Sequence, residues 1–170
     1  MRLISYLKEG RAAIGVIKSA TATEFVDLGA TGLAFSTDMA TLLAAPGALV
    51  AVKAAADAAP AHAVKPLAGI TYLPVVPRPP KIICLGLNYA DHAKEGGHAK
   101  PEYPSFFMRG ATSQVAHNQP IIRPKASTKL DYEAELAVII GSRARHLTKA
   151  NALSSVAGYA CYNDGSVRDY

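Results

Sequence analysis

The spacing of apolar residues changes character about halfway along the chain. In the first half, "RLISYLKE", "AAIGVIKS" and "EFVDLGA" are short β-rich runs broken by turn residues. They predict three strands of an antiparallel meander. "STDMATLLAA" predicts a helix with Ser36, Thr37 or Asp38 as its N-cap. "GALVAVKAAADAA" predicts a second, alanine-rich helix that stops at Pro60. No cluster of polar residues in this half points to chemistry, so residues 1–72 read as an accessory domain. "LPVVPRPP", residues 73–80, follows with four prolines that cannot donate backbone hydrogen bonds, and it predicts an extended linker.

Beyond the linker, residues 81–170 have a different texture. "KIICLGL" is a short continuous apolar run, the pattern of a strand covered on both faces. "NYADHAKE" predicts a helix with Asn88 as N-cap and Gly96-Gly97 as its stop. Strands are predicted around "SFFMRG", "QPIIRP" and "DYEAELAVII", then a helix over "TKANALSSV" capped by Thr148, then a strand over "AGYACYND". Both halves therefore combine short strands with short helices, and the fold class expected is α+β.

"DYEAELAVII" reads as an interior strand and poses a physical problem. Residues i and i+2 of a strand point to the same side, with Cα atoms roughly 6.5–7 Å apart. Tyr132, Ala134, Leu136, Val138 and Ile140 would make one apolar face, while Glu133 and Glu135 share the other with Ala137 and Ile139. Two like charges at the margin of a core repel each other and lose hydration. A divalent cation offsets both costs, and carboxylate oxygens suit Mg²⁺, Mn²⁺ or Ca²⁺. On this segment alone, two solvated glutamates on a half-exposed strand are the competing reading. Asp164 offers a third carboxylate where "AGYACYND" breaks to polar residues, although "NDG" is also an ordinary turn signal.

A second pair is His92 and Glu95. On a helix, i and i+3 share a face, so the carboxylate can orient the imidazole as a general base. The same spacing also describes a plain surface contact. Arg168 and Arg109 are candidates to grip a substrate carboxylate, and Arg109 would favour a second one and hence a dicarboxylic substrate. His62, His98, His117 and His146 show no metal-ligand spacing and are assigned no role.

Composition narrows the classes. Half of the 170 residues are hydrophobic, enough for a sizeable core, and no apolar run approaches the length of a membrane span. The formal charge of +5 favours anionic small molecules. The basic residues are dispersed, and the densest stretch, "RARHLTK", lacks interleaved aromatics, so neither nucleic acid nor membrane is an expected partner. Cys84 and Cys161 form no CxxC pair, and the amino end is broken by charges too early for a secretory segment, so the cytoplasm is the expected location.

Taken together, "KIICLGLNYADHAKE", "LDYEAELAVIIG" and "AGYACYNDGSVRD" resemble the fumarylacetoacetate hydrolase family, in its bacterial type with a small amino-terminal domain. The resemblance implies a small β-rich α/β domain followed by part of a mixed β-roll catalytic domain, usually paired as a homodimer. It implies Mg²⁺ or Mn²⁺ bound by Glu133, Glu135 and Asp164, water activated by His92 with Glu95, and a 2-oxo acid end contacted by Arg168. The stretch "DHAKEGGHAKPEYP" matches a segment that orders as a lid in relatives. The implied activity is hydrolysis of a carbon–carbon bond in a 1,3-dicarbonyl or 2-oxo acid. Relatives on the same core decarboxylate, isomerise or hydrate 2-hydroxy-dienoic and diketo sugar acids. Such relatives continue well beyond the "NDGSVRDY" motif, so residues 81–170 are expected to be the first part of the catalytic domain. An inactive fragment serving only as an assembly module is the alternative.

Overall fold

The computed structural model describes residues 1–35, 37–95, 97, 99 and 102–170, with the side chains of His92 and Glu95 outside that set. The described chain forms two compact units, Met1–Pro77 with Val115–Tyr170, and Arg78–Gln114.

The predicted meander is present as β1 (Arg2–Lys8), β2 (Arg11–Ile17) and β3 (Glu24–Asp27). Lys8 pairs with Arg11 across a two-residue turn in which Glu9 and Gly10 both take positive φ, 51° and 75°. That is the turn whose twist matches a right-handed hairpin. Two short strands absent from the sequence reading, β4 (Val64–Pro66) and β5 (Thr71–Tyr72), complete an antiparallel sheet in the order β4-β3-β2-β1-β5. Helix α1 (Met39–Ala44) is capped by Asp38, whose side chain accepts from the Thr41 amide at 2.9 Å; Ser36 lies outside the described residues. Helix α2 (Ala48–Asp57) follows, with Gly47 before it in the left-handed region.

Met39 and Leu42 of α1 and Val52 and Ala56 of α2 lie one turn apart on their helices and face inward. They pack with Ile14, Val16, Val26 and Leu28 of the sheet side in one core. Each buried aliphatic side chain contributes about 1.5–3 kcal/mol. The first residues of the proline-rich stretch are tied to β1, since Leu73 N donates to Ser5 O at 2.9 Å and Ser5 Oγ donates to Val75 O at 2.8 Å.

In the unit Arg78–Gln114, β6 (Ile82–Gly86) pairs antiparallel with β7 (Ser105–Arg109), and α3 (Ala90–Glu95) lies between them in sequence. Gly97, at φ 69°, donates to the Lys94 carbonyl and closes the helix end; Gly96 is outside the described residues. Cys84 is buried but Ile83 and Leu85 are exposed, so β6 is not covered on both faces as its apolar run predicted.

In the other unit, β8 (Leu130–Asp131) pairs with β11 (Ser166–Val167), and β9 (Ala134–Ile140) pairs with β10 (Val156–Asn163), both antiparallel. Three expectations are corrected here. "DYEAELAVII" is two strands, because at Tyr132 and Glu133 the backbone amides turn to side-chain acceptors, Asp131 Oδ1 at 2.9 Å and Asn163 Oδ1 at 3.1 Å. "QPIIRP" is not a strand: Pro120 and Pro124 have no amide to give a ladder, and Ile122 is exposed. "TKANALSSV" yields only a 3-10 turn at Ala152–Ser155, although the Thr148 amide and hydroxyl both donate to Asn151 Oδ1. Among the described residues no helix is long and apolar enough to cross a membrane.

Candidate metal centre

The β9–β10 register explains how residues remote in sequence meet. Glu135 lies opposite Tyr162 and Ala134 opposite Asn163. One step further, the Asp164 amide donates to the Glu133 carbonyl at 2.9 Å, which carries Asp164 to the position across from Glu133. Cross-strand neighbours share a face, as do i and i+2 along one strand. Glu133, Glu135 and Asp164 therefore occupy three adjacent corners of one side of the ribbon.

Each of the three offers a carboxylate oxygen, and these oxygens lie within 4.8 Å of one another. At an effective dielectric of about 20, two unit charges at that separation repel by about 3.5 kcal/mol. Asp164 is fully buried, at 2% exposure, and Glu133 and Glu135 are half-buried. Three hard oxygen donors gathered this closely suit one divalent cation, with further positions left to water or substrate. Either Mg²⁺ or Mn²⁺ fits that donor set.

The two sides of β9 are unequally covered. Leu136, Val138 and Ile140 are 50–60% exposed, whereas the side carrying Glu135, Ala137 and Ile139 is half-buried. The acids thus stand on the inner side of the ribbon.

Arg168 follows β11 and reaches the cluster. Its Nη2 lies 2.8 Å from Glu133 Oε1 and its Nε 3.2 Å from Asp131 Oδ2. Asp131 and Asn163 escaped the sequence reading. Asp131 had a usable signal, since it stands two residues before Glu133 in the same strand-like stretch. The role of Asn163, holding the Glu133 amide, depends on a residue thirty positions away and has no local signature. Arg109 belongs to the other unit, at the end of β7, with its guanidinium 5.7 Å from the centre of the Phe107 ring. His92 and Glu95 fall within α3, and their side chains are outside the described residues, as are His98, Lys100 and Pro101 of the stretch read as a lid.

Among the described residues, this α+β chain thus brings together beside a strand pair three carboxylates that could hold a hard cation. Residues 81–170, just over half of the chain, match the family model "Fumarylacetoacetate (FAA) hydrolase C-terminal", and the chain belongs to that family. The mitochondrial oxaloacetate tautomerase FAHD2A of Homo sapiens is 38% identical over 107 residues, covering 63% of this chain and 34% of that protein. Maleylpyruvate hydrolase from Sphingobium sp. SYK-6 superposes on 100% of this chain and 60% of its own, with TM-score 0.77 and 27% identity. The same hydrolase in complex with manganese(II) and pyruvate gives a TM-score of 0.75. Fumarylacetoacetate hydrolase from Exiguobacterium antarcticum is 30% identical, with TM-score 0.72 over 98% of this chain and 56% of its own. The chain thus spans little more than half the length of these solved relatives, and its match spans about a third of the human protein.

Proposed function

We propose that this chain contributes the metal-holding part of an enzyme that hydrolyses a carbon–carbon bond in a 1,3-dicarbonyl or 2-oxo acid of the acylpyruvate type. The observation that carries the reading is the convergence of Glu133, Glu135 and Asp164 within 4.8 Å. The manganese and pyruvate held by the Sphingobium hydrolase support it, pyruvate being itself a 2-oxo acid. Bound Mg²⁺ or Mn²⁺ would supply Lewis-acid polarisation of a substrate carbonyl, which favours enolate formation. Arg168, standing beside Glu133, is the group proposed to meet the substrate's carboxylate end, and Arg109 is proposed for a second carboxylate. His92 is proposed to take the proton from the attacking water, with Glu95 orienting its imidazole; these two roles rest on the "NYADHAKE" motif. A cytoplasmic homodimer completes the proposal.

A second reading, isomerisation or tautomerisation of a related oxo acid, is favoured by the similarity to oxaloacetate tautomerase. Both reactions pass through an enolate and differ in whether water adds. Acylpyruvates and oxaloacetate are therefore offered to the protein before EDTA, after EDTA, and after Mg²⁺ or Mn²⁺ is returned. Hydrolysis releases pyruvate and a second acid, whereas tautomerisation changes only the enol absorbance. Turnover indifferent to EDTA defeats both readings. Metal binding with no turnover of any oxo acid supports instead an assembly module.

A further inference from the structure

Arg168 places a positive charge directly on one of the carboxylates proposed to hold the metal. Its contacts with Glu133 and Asp131 are not equivalent. Arg168 and Asp131 are both fixed by the β8–β11 ladder. Ser166 pairs with Asp131, Val167 pairs with Leu130, and Arg168 N donates to Lys129 O at 3.0 Å. Asp131 is further oriented because its Oδ1 accepts the Tyr132 amide at 2.9 Å, which leaves Oδ2 toward Arg168 Nε. Glu133 lies outside any strand, between β8 and β9. Arg168 and Asp131 thus share one platform, and Glu133 is the partner that a cation would take.

The distances favour Glu133, at 2.8 Å against 3.2 Å for Asp131, and the Glu133 side chain is the less exposed of the two, 16% against 49%. A divalent ion drawing on the charge of Glu133 weakens its hold on the guanidinium. A planar guanidinium carries donors on two edges and can keep one carboxylate while it loosens from another. We propose that Asp131 is a positioning residue: it retains Arg168 as Glu133 is taken over, and so sets how readily the three-carboxylate cluster accepts a divalent cation. This rests on the metal-holding reading of Glu133, Glu135 and Asp164. It also keeps Arg168 beside the cluster, where the proposed function needs it for a substrate carboxylate.

The test is a double-mutant cycle on Mn²⁺ affinity of the 170-residue chain, followed by the paramagnetic resonance signal of free Mn²⁺. Asp131→Asn removes a negative charge and weakens Mn²⁺ binding by simple electrostatics in any background. If Asp131 acts through Arg168, its substitution costs about two- to fivefold more affinity with Arg168 present than in the Arg168→Gln background. Asp131→Glu, which keeps the carboxylate, recovers most of the loss. Arg168→Lys serves as a second background, because a compact ammonium keeps the charge but lacks the fork, and there too the effect of Asp131→Asn shrinks. Equal factors in all backgrounds overturn the inference while leaving the metal centre intact. No Mn²⁺ binding by the unsubstituted chain overturns the proposed function and this inference together.

Discussion

Asp164→Asn separates a carboxylate kept for an ion from one kept for the fold. The Asp164 oxygen lies within 4.8 Å of oxygens of both Glu133 and Glu135. Each pair repels by about 3.5 kcal/mol or more at an effective dielectric near 20. Neutralising Asp164 relieves both pairs. It also forfeits what that charge gains from nearby cations such as Arg168, which sits on Glu133. The Asp164 amide still donates to the Glu133 carbonyl, so the local backbone is retained. The net expectation is a metal-free variant more stable than the parent by about 1–3 kcal/mol, a rise of several degrees in Tm for a chain of this size. In Mn²⁺ the order reverses. An ion at a hundred times its Kd stabilises the parent by about 2.7 kcal/mol, and the variant, with one donor charge gone, gains far less at the same concentration. Thermal unfolding in EDTA and in Mn²⁺ reads both signs in one experiment. A variant that is less stable than the parent in EDTA, yet keeps the full Mn²⁺ shift, would refute the reasoning.

Two further expectations concern the fold. Gly141 accepts no side chain, since an added Cβ would lie 2.6 Å from Ala157 Cβ and 3.2 Å from the Leu43 carbonyl; Gly141→Ala should cost about 1–3 kcal/mol in denaturant unfolding, and a neutral result would show that β10 or α1 gives way. Burial, with the Asp27 charge beside it, pushes the Tyr6 hydroxyl well above 10.0, and the hydrogen bond to Asp27 raises Lys8 above 10.5. Both groups hold protons more tightly when folded, so their contribution is complete at neutral pH and is lost as pH climbs above about 10. Stability measured against pH should fall there, and Tyr6→Phe should flatten the fall by up to about 1.4 kcal/mol per pH unit; an unchanged slope would remove Tyr6 from the account.

The sequence made the centre legible where it depended on period and chemistry, and hid it where it depended on distant partners. Glu133 and Glu135 stand two residues apart, the spacing that returns an extended chain to the same side even though Glu133 just precedes β9, and that much is local. Asp164 follows an apolar run that breaks to polar residues, which flagged it as a third acid, while its place opposite Glu133 comes from the β9–β10 register. The break at Tyr132 and Glu133 was invisible, because it needs Asp131 Oδ1 and Asn163 Oδ1 to take amides that a ladder would otherwise use. Which side of β9 turns inward is not legible from a strand with apolar residues on both faces: Leu136 and Val138 face out and the acids face in. In the first half, the meander and both helices were readable from strand runs, caps and Pro60. The strands β4 and β5 are two or three residues long and carry too little pattern to show.

That outward side of the β9–β10 ribbon has a practical meaning of its own. Leu136 and Val138 stand opposite Cys161 and Tyr159, an oily strip on the reverse of the acids. Stickiness and chemistry are thereby assigned to alternate residues of one short stretch. The strip can be rewritten with lysines to improve handling in solution while every second residue, and with it the ion-holding group, is left untouched.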